Sequence, residues 1–113
     1  MVIKTNQYVK EKLGGAGEGK ALVRVVLEPD KLNDKGRMFN HIWLEPGSSI
    51  SYHQHLGETE WYYIIKGHGL FHDNGKDVEV FEGNVCITPD TEYHSLKNIG
   101  DETLELIALI LYK

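Results

Sequence analysis

Polar and apolar residues alternate over short stretches along most of this chain, which is the pattern of half-buried β-strands. No stretch has a convincing 3.6-residue period of an amphipathic helix. Short strands at such close spacing are typical of a β-sandwich or a small barrel. The pattern predicts strands over residues 21–27, 37–44, 49–55, 60–66, 69–72, 77–81, 85–88, 93–98 and 103–112.

Turn-forming residues separate these stretches. Pro46-Gly47 ends one apolar run, and Asn98-Ile99-Gly100-Asp101 precedes the last one. Asn74-Gly75 lies between two alternating runs, and this dipeptide readily supplies the positive φ angles of a type I′ turn. The sequence therefore predicts a β-hairpin centred on Asn74-Gly75.

The first 20 residues contain a glycine-rich stretch over 14–19. We expect an N-terminal arm and Gly-rich loop over 1–20, followed by one barrel domain over 21–113. Residues 14–21 nearly match the phosphate-binding motif G-x-x-x-x-G-K-[ST], but Ala21 lacks the hydroxyl that the motif requires. The motif also requires a following helix, whereas Ala21–Leu27 is predicted to be a strand. A mobile loop is the better interpretation.

Composition narrows the function classes. The 113 residues fit one domain, and 41% hydrophobic with 26% charged residues suits a packed soluble protein. No apolar run is long enough to span a bilayer, and a net charge of −5 argues against a nucleic-acid partner. The single cysteine, Cys86, and the absence of a recognisable secretory signal lead us to expect a reducing, cytoplasmic location.

Four residues suggest a metal site. His53 and His55 lie two positions apart, so in a strand both imidazoles point to one face. Glu60 opens the next predicted strand, and His94 lies on a later one. Three imidazoles and one carboxylate would leave one or two positions open on an octahedral ion, as in catalytic or ligand-binding sites.

The same segment resembles the first signature of the cupin superfamily, G-x5-H-x-H-x(3,4)-E-x6-G. Every fixed position is filled, by Gly47, His53, His55, Glu60 and Gly67.

The second cupin signature, G-x5-P-x-G-x2-H-x3-N, is similar to residues 83–98. Gly83, Pro89, His94 and Asn98 match it, whereas Thr91 stands where the family has glycine. The resemblance implies an all-β, single-domain jelly-roll barrel. We expect His53, His55, Glu60 and His94 to hold one divalent transition metal per chain, and iron, manganese, nickel, zinc and cobalt all suit such ligands.

Strand alternation extends the predicted site to a pocket. If His53 and Glu60 face inward, so do Ser51, Tyr62 and Ile64. Similarity to cupin sequences also places Met38, Asn40 and Ile42 inward.

Tyr62 is the candidate catalytic residue. The spacing Glu60-x-Tyr62 resembles that of cupin lyases that act on dimethylsulfoniopropionate, in which a tyrosine works near the metal. A metal can lower the pKa of a phenol and make it a base. The alternative is a packed tyrosine with a hydrogen-bond partner.

Phe39, His41 and Trp43 are then predicted to face outward. Three large rings in a row are unusual on a solvated face. Because cupins are commonly dimers, we expect this row to contact a second copy in a homodimer. The alternative is that the N-terminal arm covers it.

Two functions remain open from the sequence. The one we favour is a metal-dependent enzyme for a small molecule, by oxygenase, sugar-isomerase or lyase chemistry. The alternative is a module that binds or senses a small ligand at the metal without turnover. The fold does not decide between them, since cupins host many functions.

Overall fold

A computed structural model describes residues 1–5, the backbone of residues 9–11, and residues 17–113. Within these ranges the chain forms ten β-strands and one 3₁₀ turn at Pro29–Leu32. The strands are β1 (Val9–Glu11), β2 (Ala21–Leu27), β3 (Gly36–Leu44), β4 (Ser49–Gln54), β5 (Glu58–Lys66), β6 (His68–Asp73), β7 (Lys76–Phe81), β8 (Val85–Thr88), β9 (Tyr93–Asn98) and β10 (Leu104–Tyr112).

The strands form two sheets whose neighbouring strands are all antiparallel. One has six strands in the order β1-β2-β3-β10-β5-β8, and the other has four in the order β4-β9-β6-β7. The prediction of an all-β jelly roll is confirmed, and each of the nine predicted strands is found within two residues of its predicted ends.

The N-terminal segment is described only in part. β1 pairs with β2 inside the region predicted to be an arm. Residues 14–16 of the predicted Gly-rich loop lie outside the described residues. Ala21 begins a strand rather than a helix, which agrees with the rejection of a phosphate-binding loop. The division into an arm over 1–20 and a barrel over 21–113 stays a prediction.

Apolar side chains from both sheets meet between them, because every second residue of a strand faces inward. Leu44, Ile64 and Leu106 from the larger sheet, and Leu96 from the smaller one, are fully buried. The core also includes Tyr62 and Phe71, whose rings contact the ring of His94.

The predicted hairpin is confirmed. Asn74 and Gly75 have φ angles of 49° and 87°, and they connect β6 to β7. Two positive φ angles in a two-residue loop are those of a type I′ turn, whose twist matches that of the flanking strands.

Register shifts interrupt four of the strand pairings, and two of them, in β3 and β4, form bulges next to the predicted site. In β3, Met38 pairs with Ile110 and Gly36 with Leu111, which leaves Arg37 as the extra residue. In β4, Ile50 pairs with Leu96 and His53 with His94, so that two residues oppose one on β9. A bulge breaks the alternation of a strand and redirects a side chain.

Candidate metal centre

The four predicted ligands lie together between the two sheets. His53 of β4 pairs directly with His94 of β9, His55 follows β4, and Glu60 comes from β5 in the opposite sheet. One nitrogen or oxygen of each residue lies within 4.8 Å of those of all the others. Among the described residues, this is the group of histidine, cysteine or acidic side chains that is close enough to hold an ion.

The spacing of the donor atoms fits a bound ion. The three Nε2 atoms of His53, His55 and His94 are 3.0–3.1 Å apart. The Oε1 atom of Glu60 lies 2.9 Å from Nε2 of His55 and 3.0 Å from Nε2 of His94. Two ligands at right angles, each about 2.1 Å from one ion, are separated by about 3.0 Å.

The other ring nitrogen of each histidine is already hydrogen-bonded. Nδ1 of His53 donates to the backbone oxygen of Ser51 at 2.6 Å, and Nδ1 of His55 donates to Oε2 of Glu58 at 2.5 Å. Nδ1 of His94 lies 2.6 Å from the Thr88 hydroxyl, which can accept from the same tautomer. Partners of this kind fix the ring orientation and leave Nε2 free for a metal.

These contacts require a positive charge at the centre. When His53 and His55 are neutral and donate from Nδ1, their Nε2 atoms present lone pairs to one another. Lone pairs about 3 Å apart repel, and burial strengthens the repulsion. A cation coordinated by all four groups removes this conflict, and the residues therefore fit a metal ion.

The pKa values show how strongly the groups interact. Burial alone would raise the pKa of the Glu60 carboxyl, but contacts with the imidazoles of His55 and His94 outweigh it and bring the pKa to about 2. Burial lowers the pKa of His53. Burial also acts to lower the pKa of His55, but hydrogen bonds with Glu60 and Glu58 raise it overall. At neutral pH, Glu60 is thus a buried negative charge facing three imidazoles.

Sequence reasoning missed three residues that support the centre. Glu58 and Thr88 hold the imidazoles of His55 and His94, and Arg37 binds both carboxylate oxygens of Glu58. Glu58 lies two positions from Glu60 on β5, so its alternation was a usable signal. Arg37 had no such signal, because its direction depends on the bulge in β3.

A cavity of about 150 Å³ opens beside the four groups. Its walls are Arg37, Met38, Asn40, Ile42, Ile50, His53, His55, Glu60, Tyr62 and Ile110. The structure therefore places the predicted pocket residues Met38, Asn40 and Ile42 along this cavity.

Ser51 and Ile64 are the exceptions among the predicted pocket residues. Ser51 lines a different groove, on the smaller sheet, because the bulge in β4 turns Ile50 rather than Ser51 toward the cavity. Ile64 does face inward, but it is fully buried in the apolar core and does not reach the cavity. A role for Ser51 or Ile64 in ligand binding stays a prediction.

Tyr62 lies in the cavity wall and is almost fully buried. Its hydroxyl is 3.5 Å from Nε2 of His94. Burial, followed by the charge of Glu60 and a hydrogen bond with it, raises the pKa of Tyr62 well above its usual value. In this environment the phenol stays protonated.

Two further histidines and the single cysteine lie outside this cluster. His68 pairs with Glu79, and His72 pairs with Asp77, both at the surface. Cys86 is buried in the core, and burial raises the pKa of its thiol to about 12. Within the described ranges, no helix is long and apolar enough to cross a membrane.

Comparisons with known proteins agree with this arrangement. Residues 40–110 match the family model described as "Cupin domain". The "Oxalate-binding protein" of Thermotoga maritima is 41% identical over 113 residues, covering 98% of this chain and 93% of that protein.

Solved structures agree as well. A crystal structure described as that of a predicted oxalate decarboxylase from Thermotoga maritima has a TM-score of 0.91 and 39% identity over the full length of both chains. A cupin-like protein from the same species has a TM-score of 0.76 at 20% identity, over 92% of this chain and 78% of that one. The second likeness concerns the fold alone.

Proposed function

We propose that this chain, which belongs to the cupin family, holds one divalent metal ion and binds a short carboxylate anion at that ion. His53, His55, Glu60 and His94 would hold the ion. The observation that carries the proposal is the convergence of three imidazole Nε2 atoms and one carboxylate within hydrogen-bonding distance, with each Nδ1 already engaged. Iron, manganese, nickel, zinc and cobalt are the candidate metals, since all accept imidazole and carboxylate ligands.

The charges around the cavity favour an anion. Glu58 and Glu60 contribute two negative charges and Arg37 one positive charge, so the protein groups alone carry one net negative charge. A divalent cation makes the site positive by one charge. Its Lewis acidity would supply direct bonds to the oxygens of a carboxylate.

The other walls restrict the size of the ligand. Met38, Ile42, Ile50 and Ile110 surround the polar groups with apolar surface, and Asn40 supplies an amide. A cavity of about 150 Å³ suits a molecule of a few heavy atoms. Oxalate meets these requirements of charge and size, and the relative that is 41% identical is named for binding it.

The geometry supports binding better than turnover. Outside the four proposed ligands, the described residues that line the cavity include neither a carboxylate nor an imidazole. Proton transfer to or from a bound molecule needs an acid or base within hydrogen-bond reach, and Tyr62 is the remaining candidate in the cavity wall. Burial raises the pKa of Tyr62, so its phenol stays protonated and is a poor base. We therefore favour a binding or sensing module over the oxygenase, isomerase or lyase that the sequence favoured.

Isothermal titration of metal-loaded protein with oxalate tests this function. We expect one oxalate per chain in the metal-loaded protein and no binding after treatment with EDTA, because the carboxylate needs the ion as its partner. Incubation with oxalate should leave its concentration unchanged. If the metal-loaded protein does not bind oxalate, the proposal is wrong. If the oxalate concentration falls steadily, the protein is an enzyme rather than a binding module.

We also propose a homodimer through the outer face of the six-stranded sheet. The stacked rings of His41 and Trp43 lie on it, and the apolar surface continues through the cross-strand neighbours Leu109, Trp61 and Ile87. Tyr63, Val85 and Ile87 are about half exposed. A continuous apolar surface across several strands is typical of a face that binds a partner.

Light scattering coupled to size-exclusion chromatography tests the dimer. We expect a mass of two chains for the unchanged protein and of one chain for Trp43→Glu, since a buried charge at an interface is costly. Tyr52→Glu, on the outside of the other sheet, is the control and should remain a dimer. A monomer before substitution would favour the alternative that the N-terminal arm covers Phe39, His41 and Trp43.

A cytoplasmic location and the absence of a nucleic-acid partner stay predictions. Cys86 has no disulfide partner and is buried, which suits a reducing compartment.

A further inference from the structure

Arg37 is aimed at the cavity by the bulge in β3. Strict alternation would put residue 37 on the outer face with Phe39, because Met38 faces the cavity. As the extra residue between two pairs of the β3–β10 ladder, Arg37 instead lines the cavity together with His53, His55 and Glu60. The neighbouring Gly36 packs so closely on the Ile110 backbone that a Cβ atom would not fit. The local backbone is thus built around the position of Arg37.

The guanidinium is held in a fixed orientation. Its Nε donates to Oε1 of Glu58 at 2.7 Å, and its Nη2 donates to Oε2 at 2.8 Å. This two-point contact leaves Nη1, which has no partner among the described residues. Glu58 also accepts the hydrogen bond from His55, so one carboxylate connects the arginine to a proposed metal ligand.

Arg37 is also the one cationic side chain among the described residues that line the cavity. It is partly exposed and so lies toward the open side of the cavity, whereas His55 and Glu60 in the same wall are buried. A small ligand bound at the four proposed metal ligands therefore extends toward a guanidinium with a donor to spare. An arginine is the residue best suited to recognise a carboxylate at that end.

We propose that Arg37 is a specificity-determining residue that selects dicarboxylates over monocarboxylates of the same shape. One carboxylate of the ligand lies at the metal, and the second accepts a hydrogen bond from Arg37. This inference rests on the proposed function and adds the residue that selects a dianion. Glu58 holds the guanidinium in place for that contact.

Oxalate and oxamate form a matched pair for the test, because they have nearly the same shape and oxamate has an amide in place of one carboxylate. The dissociation constants of both are measured by titration of metal-loaded protein, and metal content is measured separately for every variant. In Arg37→Gln, we expect the preference for oxalate over oxamate to fall about 10- to 100-fold, the worth of one charge-assisted hydrogen bond. Arg37→Lys should give an intermediate preference, since it keeps the charge and loses the planar geometry.

Two further variants separate direct recognition from support of His55. Arg24→Gln removes the other arginine of the sequence, which lies against Trp43, and should keep the full preference. Glu58→Gln leaves Arg37 one acceptor, the amide oxygen, so it should lower the preference less than Arg37→Gln does, even if metal affinity falls.

The possible results separate the role of Arg37 from the proposed oxalate binding. An unchanged preference in Arg37→Gln would overturn the role of Arg37 while leaving oxalate binding intact. Equal loss of preference in Arg37→Gln and Glu58→Gln would show that the arginine acts only through Glu58. Binding of neither anion by the unchanged, metal-loaded protein would overturn the proposed function itself.

Discussion

His94→Ala is expected to retain less than roughly a tenth of the metal that the unchanged protein holds. Changes to residues that merely orient a metal ligand already cost 10- to 100-fold in affinity, and the loss of a ligand costs more. His94 contributes one of three converging Nε2 atoms and contacts Glu60, so its removal also opens a gap beside a buried carboxylate. Elemental analysis of the purified, tag-free proteins measures the effect.

The matched control is His72→Ala. His72 has the same chemistry, but it lies at the surface beside Asp77 and away from the cluster. The unchanged protein and the control should both hold close to one metal ion per chain after reconstitution. Equal metal content in His94→Ala and His72→Ala would contradict the metal centre, as would failure of the unchanged protein to take up any of the five candidate metals.

Saturating metal is expected to raise the free energy of unfolding by about 3–4 kcal/mol when its free concentration exceeds the dissociation constant several hundredfold. For a domain of this size, that corresponds to a rise in Tm of about 10–20 °C. The physical reason is that the folded protein assembles the four groups, three of them buried, while the unfolded chain does not. Thermal unfolding followed by circular dichroism, with metal and with EDTA, measures the shift.

The same variant serves as the control for stability. His94→Ala should show little difference between metal and EDTA, because its site binds the ion poorly. A shift of equal size in both proteins would mean that the metal acts elsewhere on the surface. No shift in the unchanged protein with any candidate metal would contradict a site that is formed by folding.

Thr91 shows where local sequence rules and the tertiary structure conflict. The second signature has glycine at this position, and Thr91 indeed has a φ of 75°, which is rare for a β-branched residue. Its N–H donates to the backbone oxygen of His55 at 2.7 Å, and the side chain of Gln54 donates to its carbonyl oxygen. These contacts keep the tight turn before His94 at a cost on the order of 1–3 kcal/mol.

The strands and the four clustered residues could be predicted from the sequence because both are local patterns. Alternation of polar and apolar residues follows from the two-residue period of a strand, and His53-x-His55 places two rings on one face for the same reason. The type I′ turn at Asn74-Gly75 follows from the φ preferences of those two residues. Assigning His94 to this cluster needed the family resemblance, since it lies 39 positions after His55.

The sequence by itself therefore determined the strand order along the chain, the fold class and the identity of the clustered histidine and glutamate side chains. Only the tertiary structure decided which other residues reach the site. The bulges in β3 and β4 each insert one residue into a ladder, and they turn Arg37 and Ile50 toward the cavity and Ser51 away from it. A bulge arises from the pairing of two strands that are distant in sequence, so the residues of one strand do not specify it.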